Sequence, residues 1–196
     1  MIESERQRVL SYLAGSTEDR LLKVVEEELL EKREAELLEK EGSGCRVLMV
    51  NDMHEDLSRM YRLFNRVPNG LAPIAEILRS HILNLGNEKI DQRMSRGEGK
   101  DEKELGDDPQ FIKDILALHD KFIQLVTAQF ASNSLFQKAL KDAFVEIVNK
   151  DMGKFSAADL LSAFCDRILK TGSNEKVSFT ISLFLFFLIE LLCFVV

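Results

Sequence analysis

Apolar residues recur along this chain three and four positions apart, the spacing of one face of a helix. Val9, Leu10 and Leu13 mark a short amphipathic stretch over residues 5–14. Ser16-Thr17-Glu18-Asp19 reads as a helix start, a hydroxyl cap followed by acids at the positive end of the dipole. The helix that follows carries Leu21, Leu22, Val25 and Leu29 inward, and Leu37 and Leu38 close the stretch. Glu26, Glu27, Glu28, Lys32, Arg33 and Glu36 form its solvated face. Gly42-Ser43-Gly44 breaks it.

Leu57, Met60, Tyr61, Phe64 and Val67 form the next stripe, on a helix that begins near Asp52. Pro68-Asn69-Gly70 predicts a turn, and Pro73 is tolerated in the first turn of a helix whose inner side is Leu71, Ile74, Leu78, Ile82 and Leu85. Residues 95–108 are glycine-rich and charged, with almost nothing to bury, and predict a mobile loop. Asp107-Asp108-Pro109 then opens a helix with Phe111, Ile115, Leu118, His119, Phe122 and Val126 on one face. Two more stripes follow: Phe136, Leu140, Ala143, Phe144 and Ile147, then Leu160, Leu161, Phe164, Cys165, Ile168 and Leu169, with Ser156 as the expected cap of the last. Amphipathic helices with short connections make an all-α bundle or solenoid segment.

The last twenty residues break the pattern. In residues 177–196 only Ser178, Thr180, Ser182 and Glu190 are polar, so apolar side chains circle any helix formed there. About 20 residues suffice to cross a bilayer as a helix. Apolar residues contributing roughly −0.3 to −0.6 kcal/mol each outweigh about +2.5 to +3.5 kcal/mol for a single acid, and Glu190 lies off-centre. Arg167, Lys170 and Lys176 before it would keep the helical body cytosolic, making a tail-anchored protein. The abrupt start at Val177-Ser178 equally fits translation into a retained intron.

Composition narrows the function. Hydrophobic residues make up 45% and charged residues 30%, enough apolar material for a core, while 3 Pro and 10 Gly are too few for a many-turned sandwich or barrel. The net charge is −7 and no basic stripe stands out, which excludes nucleic acid as a partner. Cys45, Cys165 and Cys193 are far apart and form no CxxC pair, and Cys165 falls on an apolar stripe, so a buried reduced thiol and a cytoplasmic or nuclear location are expected. Met1-Ile2-Glu3-Ser4-Glu5-Arg6 offers no secretory signal.

No site chemistry emerges. His54, His81 and His119 are dispersed without an HExxH pattern, and His119 reads as a core histidine rather than a metal ligand. Gly97-Glu98-Gly99-Lys100 lacks the strand and hydroxyl of a phosphate loop, and Asp101 would repel phosphate. We expect no catalytic, cofactor or metal site: the chain is not an enzyme and uses no cofactor.

The wording of the helices resembles the cullin family. Asp56-Leu57-Ser58-Arg59-Met60-Tyr61-Arg62-Leu63, Leu118-His119-Asp120-Lys121-Phe122, Phe136 to Phe144 (FQKALKDAF) and Asp159 to Lys170 (DLLSAFCDRILK) carry the resemblance. Leu38-Glu39-Lys40-Glu41 and Gly44-Cys45-Arg46 also fit, in the manner of plant cullin-1-type members. The likeness runs from near Glu3 to about Lys176. It implies an elongated helical-repeat stalk over 1–176, late second and third cullin repeats; the expected apolar C-terminal helix over 177–196 departs from the family, which continues with a polar, acidic helix. It also implies a scaffold role in cullin–RING ubiquitin ligase assembly and ubiquitin-dependent protein degradation, with ubiquitin ligase components as partners. The family's adaptor-binding first repeat, its RING-recruiting region and its modified lysine have no counterpart positions here, so direct adaptor or RING binding is not expected. A tail-anchored membrane protein using the stalk as an interaction surface, and a truncated product without function, stand as the other readings. If residues 177–196 anchor the chain, carbonate-washed membranes retain the full-length product; a soluble or peripheral product rules the anchor out.

Overall fold

A computed structural model describes residues 4, 7–8, 11–12, 16–28, 32–66, 69–97, 109–150, 152 and 156–171. Among them are eight helices and no strand: α1 Ser16–Glu26, α2 Glu34–Glu39, α3 Cys45–Val50, α4 His54–Phe64, α5 Ala72–Gly97, α6 Pro109–Gln129, α7 Ser134–Asn149 and α8 Ala157–Thr171. The expected all-α architecture holds. The chain divides into two compact units, Met1–Leu78 and Arg79–Val196, the division falling within α5. Val9, Leu10, Leu13, Leu29 and Val67, the side chains of Ile168 and Leu169, and the apolar segment 177–196 lie outside the described residues. No helix among the described residues is long and apolar enough to cross a membrane.

In the first unit, the single long helix expected from Ser16 to Leu38 is interrupted. The Lys32 amide donates to the Glu27 carbonyl five residues back, a π-type turn at 3.1 Å. The chain then passes through Arg33 at φ −127°, ψ 2° and restarts as α2. Leu21 and Leu22 do not point inward as expected: they are 40% and 37% exposed. Leu38 is buried.

The Gly42-Ser43-Gly44 break works through close approach. Gly42 takes φ +83°, and a Cβ on Gly44 would lie 2.6 Å from the Leu38 carbonyl oxygen and 2.7 Å from the Lys40 nitrogen. Folding the chain this tightly presents α3, a helix the periodicity did not reveal, which buries Cys45, Leu48 and Met49. Asp52 at φ +53° then turns the chain into α4, which begins at His54 and buries Leu57 and Phe64, leaving Met60 and Tyr61 half-buried. Glu55 and Asp56 in its first turn pair with Arg59 at 3.3 and 2.8 Å, an exposed network worth less than about 1 kcal/mol. Along the chain, α2 packs on α3 and α3 on α4.

α5 buries every fourth residue: Ile74, Leu78, Ile82, Gly86 and Ile90. Pro73 sits in its first turn, where its missing amide costs nothing. Leu85, expected inside, is half-buried, and Gly86 takes its place on the inner row. A Cβ on Gly86 would lie 2.3 Å from Ile147 Cδ1 and 2.6 Å from its Cγ1, so α7 approaches α5 where α5 has no side chain. Ser95–Gly97, expected to begin the loop, finish this helix instead, the Ser95 hydroxyl donating to the Asp91 carbonyl at 2.9 Å. Residues 98–108 lie outside the described residues.

The expected stripes of α6 and α7 are buried except for half-buried Leu118, and α6, α7 and α8 pack pairwise on one another. Phe130 and Phe136 stack at 4.2 Å across the α6–α7 turn, whose Ala131 and Ser132 sit at φ +50° and +52°. Ser156 caps α8 as expected. Its hydroxyl receives the Asp159 amide at 3.2 Å, and Asp159 Oδ2 receives the Ser156 amide at 2.9 Å, a reciprocal capping box.

Three substitutions probe these constraints. Gly44→Ala meets rigid backbone and should destabilise by about 2–3 kcal/mol, and Gly86→Ala meets the buried, β-branched Ile147 side chain and should cost about 1–3 kcal/mol. Ser132→Gly should stabilise by roughly 1 kcal/mol, because it removes left-handed strain. Urea unfolding followed by circular dichroism reads all three; an unchanged midpoint in Gly44→Ala would contradict the close approach.

Candidate functional site

The residues with chemical potential are mostly inside. His119, on α6, meets the Phe144 ring edge-on at 5.0 Å, and its Nδ1 lies 3.7 Å from Asp120 Oδ1. Burial holds its pKa below 6.5, opposed by the Asp120 carboxylate, so the ring is neutral at neutral pH. His81 packs edge-on against Phe122 at 5.7 Å, while His54 is exposed at the start of α4. No group of three or more His, Cys, Asp or Glu among the described residues is placed to hold a metal ion.

Both described cysteines are buried and free. Burial pushes the Cys45 thiol up to about 12, against a smaller pull from Arg46, and raises Cys165 as well. Neither supplies thiolate at neutral pH, so both behave as small apolar residues. Cys193 lies outside the described residues. Of Gly97-Glu98-Gly99-Lys100, only Gly97 is described, as the end of α5.

Polar contacts that periodicity could not reveal tie the second unit together. Arg93 is buried, its guanidinium 5.5 Å from the centre of the Phe111 ring. Arg79 pairs with Glu146 at 2.8 Å, and Lys150 donates to Asn87 at 2.6 Å, both joining α5 to α7. Lys89 lies 3.8 Å from Asp114, between α5 and α6. A cleft of about 640 Å³ opens between α5 and α7, lined by Leu83, Asn87, Asp142, Glu146 and Lys150 among others. Three of its polar groups already engage partners across the helix pair, which suits positioning of helices rather than chemistry. A second groove, about 440 Å³, runs between α6 and α7 over Ile123, Val126 and Leu140, with Gln137, Lys138 and Lys141 on its lip.

Helices packed through apolar stripes, with buried thiols, a neutral buried histidine and polar groups engaged across helix pairs, define an α-helical repeat protein. Comparison with known families agrees: residues 1–195 match the family model described as the cullin α-solenoid domain, so the match runs on past Lys176, where the likeness was expected to stop. The chain is 42% identical over 181 residues to Cullin-1 of Oryza sativa subsp. japonica, covering 90% of this chain and 24% of that protein. It is 39% identical over 177 residues to Cullin-2 of Arabidopsis thaliana, covering 88% and 24%, and 29% identical over 171 residues to Cullin-3A of the same plant, covering 87% and 22%. The chain belongs to the cullin family, and it spans about a quarter of the length of these relatives.

On the acid side of neutrality, two of the described groups make stability depend on pH, with the same sign and in different windows. His119 is depressed in the folded state, so its contribution is complete above 6.5 and is lost as pH falls from there through the folded value. The amide and hydroxyl of Ser156 hold Asp159 below 3.8, so its contribution is complete above 3.8 and is lost as pH falls through its folded value. His119→Gln should flatten the decline of the urea midpoint below pH 6.5 and leave the acid limb, whereas Asp159→Asn should do the reverse. Equal effects of both variants across the whole range would contradict this assignment.

Proposed function

We propose that these residues serve as a non-catalytic spacer of a cullin-type scaffold, acting in cullin–RING ubiquitin ligase assembly and hence in ubiquitin-dependent protein degradation. The observation that carries this reading is the cullin match across the chain, joined to a second unit whose helices are fixed by buried aromatic and aliphatic stripes. Interiors packed at crystal-like density transmit position with little give, which is what a spacer between a substrate receptor and a catalytic subunit requires. In this reading the functional residues are Phe111, Phe122, Phe136, Phe144 and Ile147, which hold helix against helix. The regions that bind adaptor and RING subunits in the family lie outside these residues. The compartment is the cytoplasm or nucleus, where the buried thiols of Cys45 and Cys165 stay reduced.

Pull-down of the 196-residue chain with purified adaptor and RING subunits should retain neither above background. A chimera in which residues 1–176 replace the corresponding stretch of a full-length cullin should bind both and still support ubiquitin transfer. Robust capture by the isolated chain, or a chimera that binds both subunits yet transfers nothing, would overturn the spacer reading.

A further inference from the structure

The groove between α6 and α7 lies on the same face of that helix pair as the seat of α8. Leu116, Ile123 and Thr127 along α6, and Val148, Lys141 and Gln137 along α7, stand seven and four residues apart, the spacing of one helical face. At one end of that face, Ala157 and Leu161 of α8 share an apolar space with Leu116 and Val148. Farther along, α8 buries Phe164 and Cys165 while packing on both helices, so it runs towards the α6–α7 turn. Leu161 to Thr171 is a rise of about 15 Å, which brings the end of α8 level with Val126, as far again beyond Leu116. Val126 lines the groove with Ile123 and Leu140, and none of the described α8 side chains borders it.

The sequence after Thr171 carries a matching pattern. Residues 172–176 span at most roughly 17 Å, so Val177 comes within reach of the groove. From there Val177, Phe179, Ile181 and Leu183 alternate with Ser178, Thr180 and Ser182, the period of an extended segment with one apolar edge. Val177 to Ile181 extends about 13 Å in that form. The stretch of α7 that lines the groove, Ser134 to Lys141, is about 10 Å long. The groove's volume of about 440 Å³ holds more than one such side chain.

We infer that residues 177–183 dock in the α6–α7 groove of their own chain, with Val177, Phe179 and Ile181 over Ile123, Val126 and Leu140, and with Ser178, Thr180 and Ser182 turned to water. The segment then continues the line of α8 along the seam of the helix pair. Docking also decides against the membrane. With 177–183 held in the groove, only residues 184–196 remain, and a spanning helix needs about 20. Groove and bilayer are therefore alternative sites for the same residues. This inference does not depend on the spacer reading.

A photoreactive benzophenone amino acid placed at exposed Gln137, on the rim of the groove, tests this in the full chain expressed in cells. We expect irradiation to link position 137 to residues 177–183 within one chain, read by mass spectrometry on the band of monomer mass. The same group at exposed Glu88 on α5 should give no such link. Phe179→Ser with Ile181→Ser should weaken docking by about tenfold or more, read as loss of the link, because two apolar side chains leave the groove. Ile123→Ser on the floor should act in the same direction, and Ile181→Leu should preserve the link. Circular dichroism of the purified variants establishes that each keeps its helix content. Carbonate washing should release the wild-type chain from membranes. Links that join two chains, links from Gln137 to α8 alone, or no link from Gln137 at all would overturn the inference. So would a link that survives both sets of serine substitutions, or a chain that carbonate-washed membranes retain.

Discussion

The second unit depends on the absence of one side chain. At Gly86 the inner row of α5 is empty, and Ile147 of α7 occupies the space, its Cδ1 only 2.3 Å from where a Cβ would stand. Because the helices meet there, Arg79 reaches Glu146 and Asn87 reaches Lys150 to either side of the contact. The same placement of α7 carries Phe144 against the ring of His119 on α6. A larger residue at Gly86 would therefore disturb both polar contacts and the ring pair, since tightly packed interiors pass displacement on to their neighbours.

Magnitudes decide which of these interactions holds the unit together. Glu146 of the Arg79–Glu146 pair is exposed, Lys89 and Asp114 are both partly open to solvent at 3.8 Å, and such pairs contribute about 0–1 kcal/mol. Burying one large apolar side chain contributes about 1.5–3 kcal/mol, and Phe111, Phe122, Phe130, Phe136 and Phe144 are all essentially inaccessible. The aromatic layer supplies the stability, and the ion pairs fix which residue faces which. Arg93 adds a cation over a ring: it is buried, and its guanidinium lies 5.5 Å from the centre of the Phe111 ring, whose face attracts positive charge.

The sequence was most legible where a helix buries one continuous face. α6, α7 and α8 were readable because Phe, Leu and Ile recur at helical spacing, and the α8 cap because Ser156 stands three residues before Asp159. α3 escaped because six residues, nearly all apolar, show no period. α1 misled for the opposite reason: its spacing is amphipathic, yet amphipathicity records only that an apolar face exists, not that anything covers it. Leu85 was favoured over Gly86 because hydrophobicity was the only signal available, and a glycine reserved for a neighbouring isoleucine leaves none. The α5–α7 cleft was invisible because it joins residues more than fifty positions apart, such as Leu83 and Asp142.

Family membership and the environments of the described side chains are separate observations. A cullin match says what kind of protein this is, but the chain covers only about a quarter of its relatives, so likeness alone assigns it no activity. Physical chemistry reaches the described residues directly: thiols raised by burial, an imidazole kept neutral by its surroundings, and carboxylates spent on helix caps and cross-helix pairs. Each of those environments makes the group less reactive, where a catalytic setting would tune it towards reaction. What the second unit does show is a fixed arrangement of helices, and its fixedness traces back to how closely α7 lies on α5.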